Sequence, residues 1–236
     1  MPSNIFKIFL IFLFLFFYPA FAFSADSKEI NIQENSGNYH LSVKYPILKN
    51  EFADGCLKKL VQEKIDNFKN QLSAENVSSR WKSELFTTYA LWTYSARMVS
   101  IKLEIYQFTG GAHGMTEIVT ATFDLENSQE LQLKDIFDPG SRFLEIISEI
   151  AQQQLREKLG PQADGEWIKE GTAAQPQNFQ HFVLTPREII FYFEQYSVAP
   201  YSAGIQEVAI PLEDLEYYLQ DSIKSKTSRF PGLLEE

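Results

Sequence analysis

Cysteine and histidine are scarce in this chain of 236 residues: Cys56 stands alone, and His40, His113 and His181 are its three imidazoles. One thiol cannot close an internal disulfide, so the fold is not stapled covalently. Cys56 sits among Phe52, Leu57, Leu60 and Val61 on an apolar helical face and reads as a buried core thiol rather than a nucleophile. There is no HExxH, no GxSxG and no paired CxxC, and the glycine-rich stretch at Thr109–Gly114 lacks the Lys-Ser/Thr pair that cradles phosphate. No metal and no cofactor is expected on this reading. Asp and Glu are plentiful, but spacing along the chain does not say which two would meet as acid and base, so no catalytic pair is assigned.

Positive charge is the next shortage. Lys and Arg total 21 against 31 Asp and Glu, a formal charge of −10. Such a surface repels polyanions, which argues against nucleic acid and anionic membranes as partners and favours encounter with a cationic protein. Long apolar runs are also rare: the clearest, Ile8–Phe17, follows Lys7 and precedes Pro19 and Ala20-Phe21-Ala22. It falls short of the roughly 20 residues that cross a bilayer. Its layout is that of a secretory signal peptide cleaved after Ala22, with Ser24 and Ala25 as neighbouring alternatives. No cysteine follows at lipobox distance. The expected product is an exported chain, periplasmic or extracellular, with no stable membrane span once the leader is removed.

The remainder alternates strand and helix signals. Tyr39, Leu41, Val43 and Tyr45 keep the period of a half-buried strand closed by Pro46. Leu57, Val61, Ile65, Phe68 and Leu72 then recur at helical spacing over Phe52–Leu72, with Lys58, Lys59, Glu63 and Lys69 facing water. Ser73–Ser83 reads as a polar loop. Val99, Ile101, Leu103 and Ile105 alternate with polar residues, Phe86–Ala96 suits a hairpin partner, and Val119, Ala121 and Phe123 mark a third antiparallel strand. A helix from Phe143 through Leu155 is stopped by Gly160-Pro161, and a short helix is placed around Trp167. Two strands, His181–Leu184 and Glu188–Tyr196, follow. The second is apolar on both faces at Ile189–Phe193, so it is predicted central and covered on each side. A last strand, Ile205–Ile210, leads to an amphipathic helix from Leu212 to about Ile223.

The fold class is therefore α+β, with antiparallel sheets and packed helices in two successive, intimately packed halves. The predicted organisation is a signal peptide at 1–22, halves at 23–112 and 113–222, and a polar tail at 223–236.

Two loops stand out. In Thr109-Gly-Gly-Ala-His-Gly114, Gly110, Gly111 and Gly114 permit a sharp connection between strands, with His113 at its tip. Turn formation alone explains the glycines; His113 facing a ligand is the functional alternative. The loop Tyr196–Gly204 offers Tyr196, Tyr201, Ser202 and Gly204, a composition suited to protein or glycan contact and equally to ordinary aromatic packing. His40 on a polar strand face and His181 at a strand start read as solvent-facing or capping histidines.

The Tyr45-Pro46 strand end and following helix, the Thr109–Gly114 connection, Phe123-Asp124-Leu125 through Leu133–Phe137, and Tyr201-Ser-Ala-Gly204 through Ile210-Pro211 together resemble the RsiV and PdaC group of extracytoplasmic domains. The resemblance runs from about Ile30 to Tyr218, PdaC-like in the first half and RsiV-like in the second. It implies a mixed α+β fold. In that group the RsiV-type domain is the outer part of an anti-sigma factor that binds lysozyme, and PdaC-type proteins carry the domain ahead of a peptidoglycan deacetylase. Only Met1–Lys7 precedes the apolar run and no catalytic domain follows, so the expectation is the extracytoplasmic module alone. The resemblance carries over no catalytic residues. The implied role is a non-enzymatic binding module of the cell envelope, with a cationic protein such as lysozyme, or peptidoglycan, as partner. The alternative is a peptidoglycan-associated enzyme or glycan-binding accessory protein.

Overall fold

The computed structural model describes residues 28–74 and 81–227. The expected signal peptide and the end of the polar tail lie outside them. The predicted strand at Tyr39 is β2 (Tyr39–Pro46), and an unpredicted strand, β1 (Glu29–Asn35), pairs with it antiparallel. The helix that follows, α1 (Glu51–Ala74), turns Leu57, Val61, Ile65 and Phe68 onto Leu41, Val43, Leu85, Ile101, Leu103 and Ile105 of the sheet beneath. Cys56 is half-buried beside this cluster, and burial pushes its thiol pKa up, as suits a packing role.

A helix of this length spans roughly 36 Å at 1.5 Å per residue. It carries the chain back to the end where β2 began, and β3 (Ser83–Ser95) therefore enters parallel to β2. The expectation of purely antiparallel sheets is corrected here: α1 is a crossover connection. From β3 onward the pairing is antiparallel, through β4 (Met98–Phe108), β5 (Met115–Asp124) and the short β6 (Gln129–Leu131). The result is one six-stranded sheet in the order β1-β2-β3-β4-β5-β6.

The second sheet has three antiparallel strands, β7 (Phe182–Leu184), β8 (Glu188–Phe193) and β9 (Gln206–Pro211), with β8 in the middle. Ile189–Phe193 are all buried, as the unbroken apolar run predicted. One face of this sheet packs on α2 (Phe143–Leu159), which ends at Gly160 with φ 69°, and on α3 (Gly165–Gly171). Its other face meets the side of the large sheet remote from α1, where Val183, Ile190 and Tyr192 pack on Ile118 and Trp92. At this junction the fully buried Ser100 hydroxyl accepts the Leu184 N–H at 2.9 Å and lies 2.8 Å from the Thr122 hydroxyl.

Two boundaries differ from the prediction. The division at 112/113 falls between β4 and β5, which pair along almost their whole length within one sheet. Tyr94, Met98 and Leu131 of that sheet also belong to the α2 core, so the halves share it. At the C-terminus, the predicted single helix is broken into α4 (Leu212–Leu215), a 3-10 turn at Glu216–Tyr218, and α5 (Asp221–Thr227). Leu219 interrupts it because its backbone bridges to Phe137. Ile223 is 1 % exposed and accepts the Tyr94 hydroxyl on its carbonyl at 2.7 Å, so the core extends past the point where the polar tail was placed. Burial lifts the Tyr94 pKa to about 12.

Candidate functional site

The two loops singled out in the sequence meet. One joins β4 to β5, turning through Gly110 (φ 117°) and Gly111 (φ 98°). The other joins β8 to β9. The His113 ring stacks on Tyr201 with centroids 4.0 Å apart and planes 29° from parallel. The Tyr201 hydroxyl donates to the Gly114 carbonyl at 2.9 Å, and His113 Nδ1 lies 3.1 Å from the same oxygen. A carbonyl only accepts, so that contact places the proton on Nδ1 and leaves Nε2 as the acceptor in the neutral ring. Tyr196, 50 % exposed, has its ring centroid 5.8 Å from that of Tyr201.

Each loop is braced from beneath. Gly114 is buried against Tyr106, and a Cβ there would come 2.5 Å from the Tyr106 ring and hydroxyl. Tyr196 holds φ 69°, uncommon for a side chain of its size, and Trp167 Nε1 on α3 donates to its carbonyl at 2.9 Å. Gly171 of α3 lies directly on the Ser197 carbonyl. Tyr201–Ala203 form a 3-10 turn closed by Gly204 (φ 70°), and Gln206 Nε2 donates to the Ala203 carbonyl at 2.6 Å. Ser202 is exposed on this turn.

Glu194 and Gln195, predicted as strand, instead leave the ladder and supply the brace that the sequence reading missed. Glu194 Oε1 accepts the Ile118 N–H at 2.7 Å and Gln195 Oε1 the Thr116 N–H at 3.4 Å. They satisfy the outer edge of β5 where β6, which pairs only with Thr122–Asp124, does not reach.

The three histidines have separate settings. His40 packs edge-on against Phe86 at 5.2 Å. His181 is half-buried beside Gln180, and burial lowers its pKa, opposed by Glu194 and Glu117. Among the described residues, no group of three or more His, Cys, Asp or Glu side chains is placed to hold a metal, and no helix is long and apolar enough to cross a membrane.

Fold and site thus define an α+β domain of two packed sheets that presents a braced aromatic loop junction. Residues 32–116 match the family described as "Deacetylase PdaC", and residues 134–213 match "Protein of unknown function (DUF3298)". The chain belongs to a PdaC/RsiV-like domain family. It is 31 % identical over 212 residues to the peptidoglycan-N-acetylmuramic acid deacetylase PdaC of Bacillus subtilis, a match covering 88 % of this chain and 45 % of that protein. Similarity to the anti-sigma-V factor RsiV of the same organism is 22 % over 193 residues, 77 % of this chain and 66 % of that one. The esterase Rv3036c of Mycobacterium tuberculosis is 31 % identical over 112 residues, 48 % of each chain. The chain spans about half the length of PdaC and of the esterase. A crystal structure of a DUF3298 family protein from Pseudomonas aeruginosa PAO1 shares the fold, with a TM-score of 0.63, 20 % identity and coverage of 88 % of this chain and 98 % of that one. One from Bacteroides fragilis does so at 0.60 and 19 %, covering 86 % and 97 %.

Proposed function

We propose that the chain is an exported recognition module of the bacterial cell envelope, and that it contacts its partner through the junction of His113, Tyr196 and Tyr201. The observation that carries this reading is the His113–Tyr201 stack, which locks together one loop from each sheet. Aromatic side chains held this firmly present contact area at small entropic cost. The formal charge of −10 suits a cationic partner, and lysozyme is the sharpest candidate. The peptidoglycan substrate in the name of the PdaC relative supports an envelope setting. Calorimetric titration of the chain from Phe23 onward with lysozyme, at low and physiological salt, tests it. Binding that weakens with salt, and weakens further in Tyr196→Ala and His113→Ala, is expected; no binding at either salt removes this ligand.

A second reading is favoured by the deacetylase and esterase among the relatives: a hydrolase or glycan-binding accessory acting on the cell wall. It requires turnover of, or retention on, cell-wall material that His113→Ala abolishes. Unchanged behaviour of that variant eliminates it in this form.

A further inference from the structure

Sheet edges expose unpaired backbone N–H and C=O groups, and most of the edges in this fold are managed. β6 and β7 are three residues each, and the Leu184 N–H of β7 goes to Ser100. The stretch of β5 beyond β6 is met by Glu194 and Gln195. On β9 the Glu207 and Ala209 carbonyls accept Lys158 Nζ at 3.4 Å and Gln154 Nε2 at 2.9 Å from α2, and Pro211 ends the strand. β1 has no such cover: among the described residues, nothing pairs with the outer side of its backbone. It runs seven residues in unbroken register with β2 and contains neither Pro nor Lys.

Facing residues of an antiparallel pair exchange both backbone hydrogen bonds at every second position. The Ile47 N–H donates to the Lys28 carbonyl at 2.8 Å and the Ser36 N–H to the Tyr39 carbonyl at 2.9 Å, which marks Lys28 and Ser36 as such positions. Counting by twos between them, Ile30, Ile32 and Glu34 turn their backbone groups to β2. Glu29, Asn31, Gln33 and Asn35 turn theirs outward, and all four residues are exposed.

We propose that β1 pairs antiparallel with β1 of a second copy of this chain, joining two six-stranded sheets across a two-fold axis. The seven residues complement themselves when Ile32 lies opposite its own equivalent. Asn31 then faces Gln33 and Glu29 faces Asn35, so the outward N–H and C=O groups meet one another and no two carboxylates are opposed. On the α1 side of the sheet Ile32 meets Ile32, and Ile30, 37 % exposed, meets the stem of Glu34. Charge at the edge is already balanced: Glu29 lies 3.6 Å from Lys44, and Glu34 2.7 Å from Lys69. Lys82 Nζ donates to Asn35 Oδ1 at 3.0 Å, which sets a cation beside Glu29 of the second copy. Repulsion between two chains of charge −10 is screened beyond about 8 Å at physiological salt. A foreign extended peptide would satisfy the same backbone groups, but the self-matching order of side chains favours a second copy. Seven residues at ~3.4 Å each give a contact only ~24 Å long, which makes the dimer a weak one.

The test is sedimentation equilibrium of the chain from Phe23 onward at physiological salt, between roughly 10 μM and 1 mM to capture weak association, with amide hydrogen exchange at both ends of that span. The mass is expected to rise toward that of a dimer. Exchange at Asn31, Gln33 and Asn35 should slow with concentration, while Ile32 and Glu34, bonded to β2, stay protected throughout. Gln33→Pro removes an outward N–H and leaves the β2 ladder intact, so it should weaken association tenfold or more in a folded chain. Should that variant fail to fold, the double change Asn31→Asp with Gln33→Asp sets carboxylates directly opposite one another and should give the same loss. A chain that stays monomeric to about 1 mM overturns the proposal. So does a dimer undiminished in these variants. Protection of Asn31, Gln33 and Asn35 in the dilute monomer overturns it too, because the edge would then be covered already. Lysozyme enters none of these readouts, so failure of the loop junction as a binding site and failure of this edge are told apart.

Discussion

Replacing Ser100 with alanine removes the hydroxyl through which the two sheets share hydrogen bonds. The side chain is fully buried, so no water stands ready to take over its bonds. Two groups lose a partner: the Leu184 N–H of β7 and the Thr122 hydroxyl of β5. A buried donor left unsatisfied costs ~1–3 kcal/mol, and the hydroxyl pair adds up to about 1 kcal/mol. A total loss of about 2–3 kcal/mol corresponds, at roughly 2–4 °C per kcal/mol for a domain of this size, to a Tm lower by roughly 4–12 °C. Thr122→Val provides the internal control, because it breaks the hydroxyl pair while the Leu184 N–H keeps its acceptor; about 1 kcal/mol or less is expected. In the double variant the Thr122 hydroxyl is no longer orphaned, so its loss should be smaller than the two single losses combined. Urea and thermal unfolding of the three variants measure all of this, with an unchanged m-value. A Ser100→Ala protein within about 0.5 kcal/mol of wild type, the range of an ordinary surface change, refutes the reasoning. A Thr122→Val cost exceeding that of Ser100→Ala refutes it as well.

Gly171→Ala should loosen the loop junction from below, since the new methyl group would overlap the Ser197 carbonyl, a backbone atom that no rotamer change can move. A loss of about 1–3 kcal/mol is expected, with the His113 ring resonances moving away from their stacked positions; unchanged resonances count against the brace. The His181 imidazole predicts a pH dependence with a definite sign. Burial, opposed by Glu194 and Glu117 and aided by Lys64, holds its pKa below the usual 6.5, so as pH falls the unfolded chain takes the proton first. Its stabilising effect is complete above about pH 6.5 and is lost as pH falls toward the lower folded value. His181→Gln should therefore flatten the fall in Tm between neutral and mildly acid pH, and equal slopes in both proteins would exclude the mechanism.

The elements with strong periodicity were readable because burial is one-sided or complete. α1 shows its stripe, β4 alternates, and β8 is apolar on both faces because it is central and sandwiched. β1 escaped notice because it is an edge strand with only Ile30 and Ile32 among polar residues, and Ile30 is 37 % exposed. The direction of β3 relative to β2 is not a local property at all; it follows from the length of α1, which returns the chain to the end where β2 began. Ile223 reads in the sequence as the end of an amphipathic helix beside the polar tail, and only the position of Tyr94, far back in the chain, makes it core.

The candidate site divides along the same line. Composition marked both loops, but that Tyr201 reaches Gly114 across 87 residues of chain is decided by how the small sheet sits on the large one. The brace at Glu194 and Gln195 was nevertheless deducible in principle. A three-residue β6 cannot cover a ten-residue β5, so the exposed N–H groups at Thr116 and Ile118 had to find acceptors elsewhere. Side chains supply those acceptors, and in doing so they fix the start of the very loop that carries Tyr196 and Tyr201. A surface tied down at Glu194, Gln195, Tyr196 and Tyr201 loses little freedom on binding. Its affinity should therefore respond to loss of these braces, even where the removed atom never touches the partner.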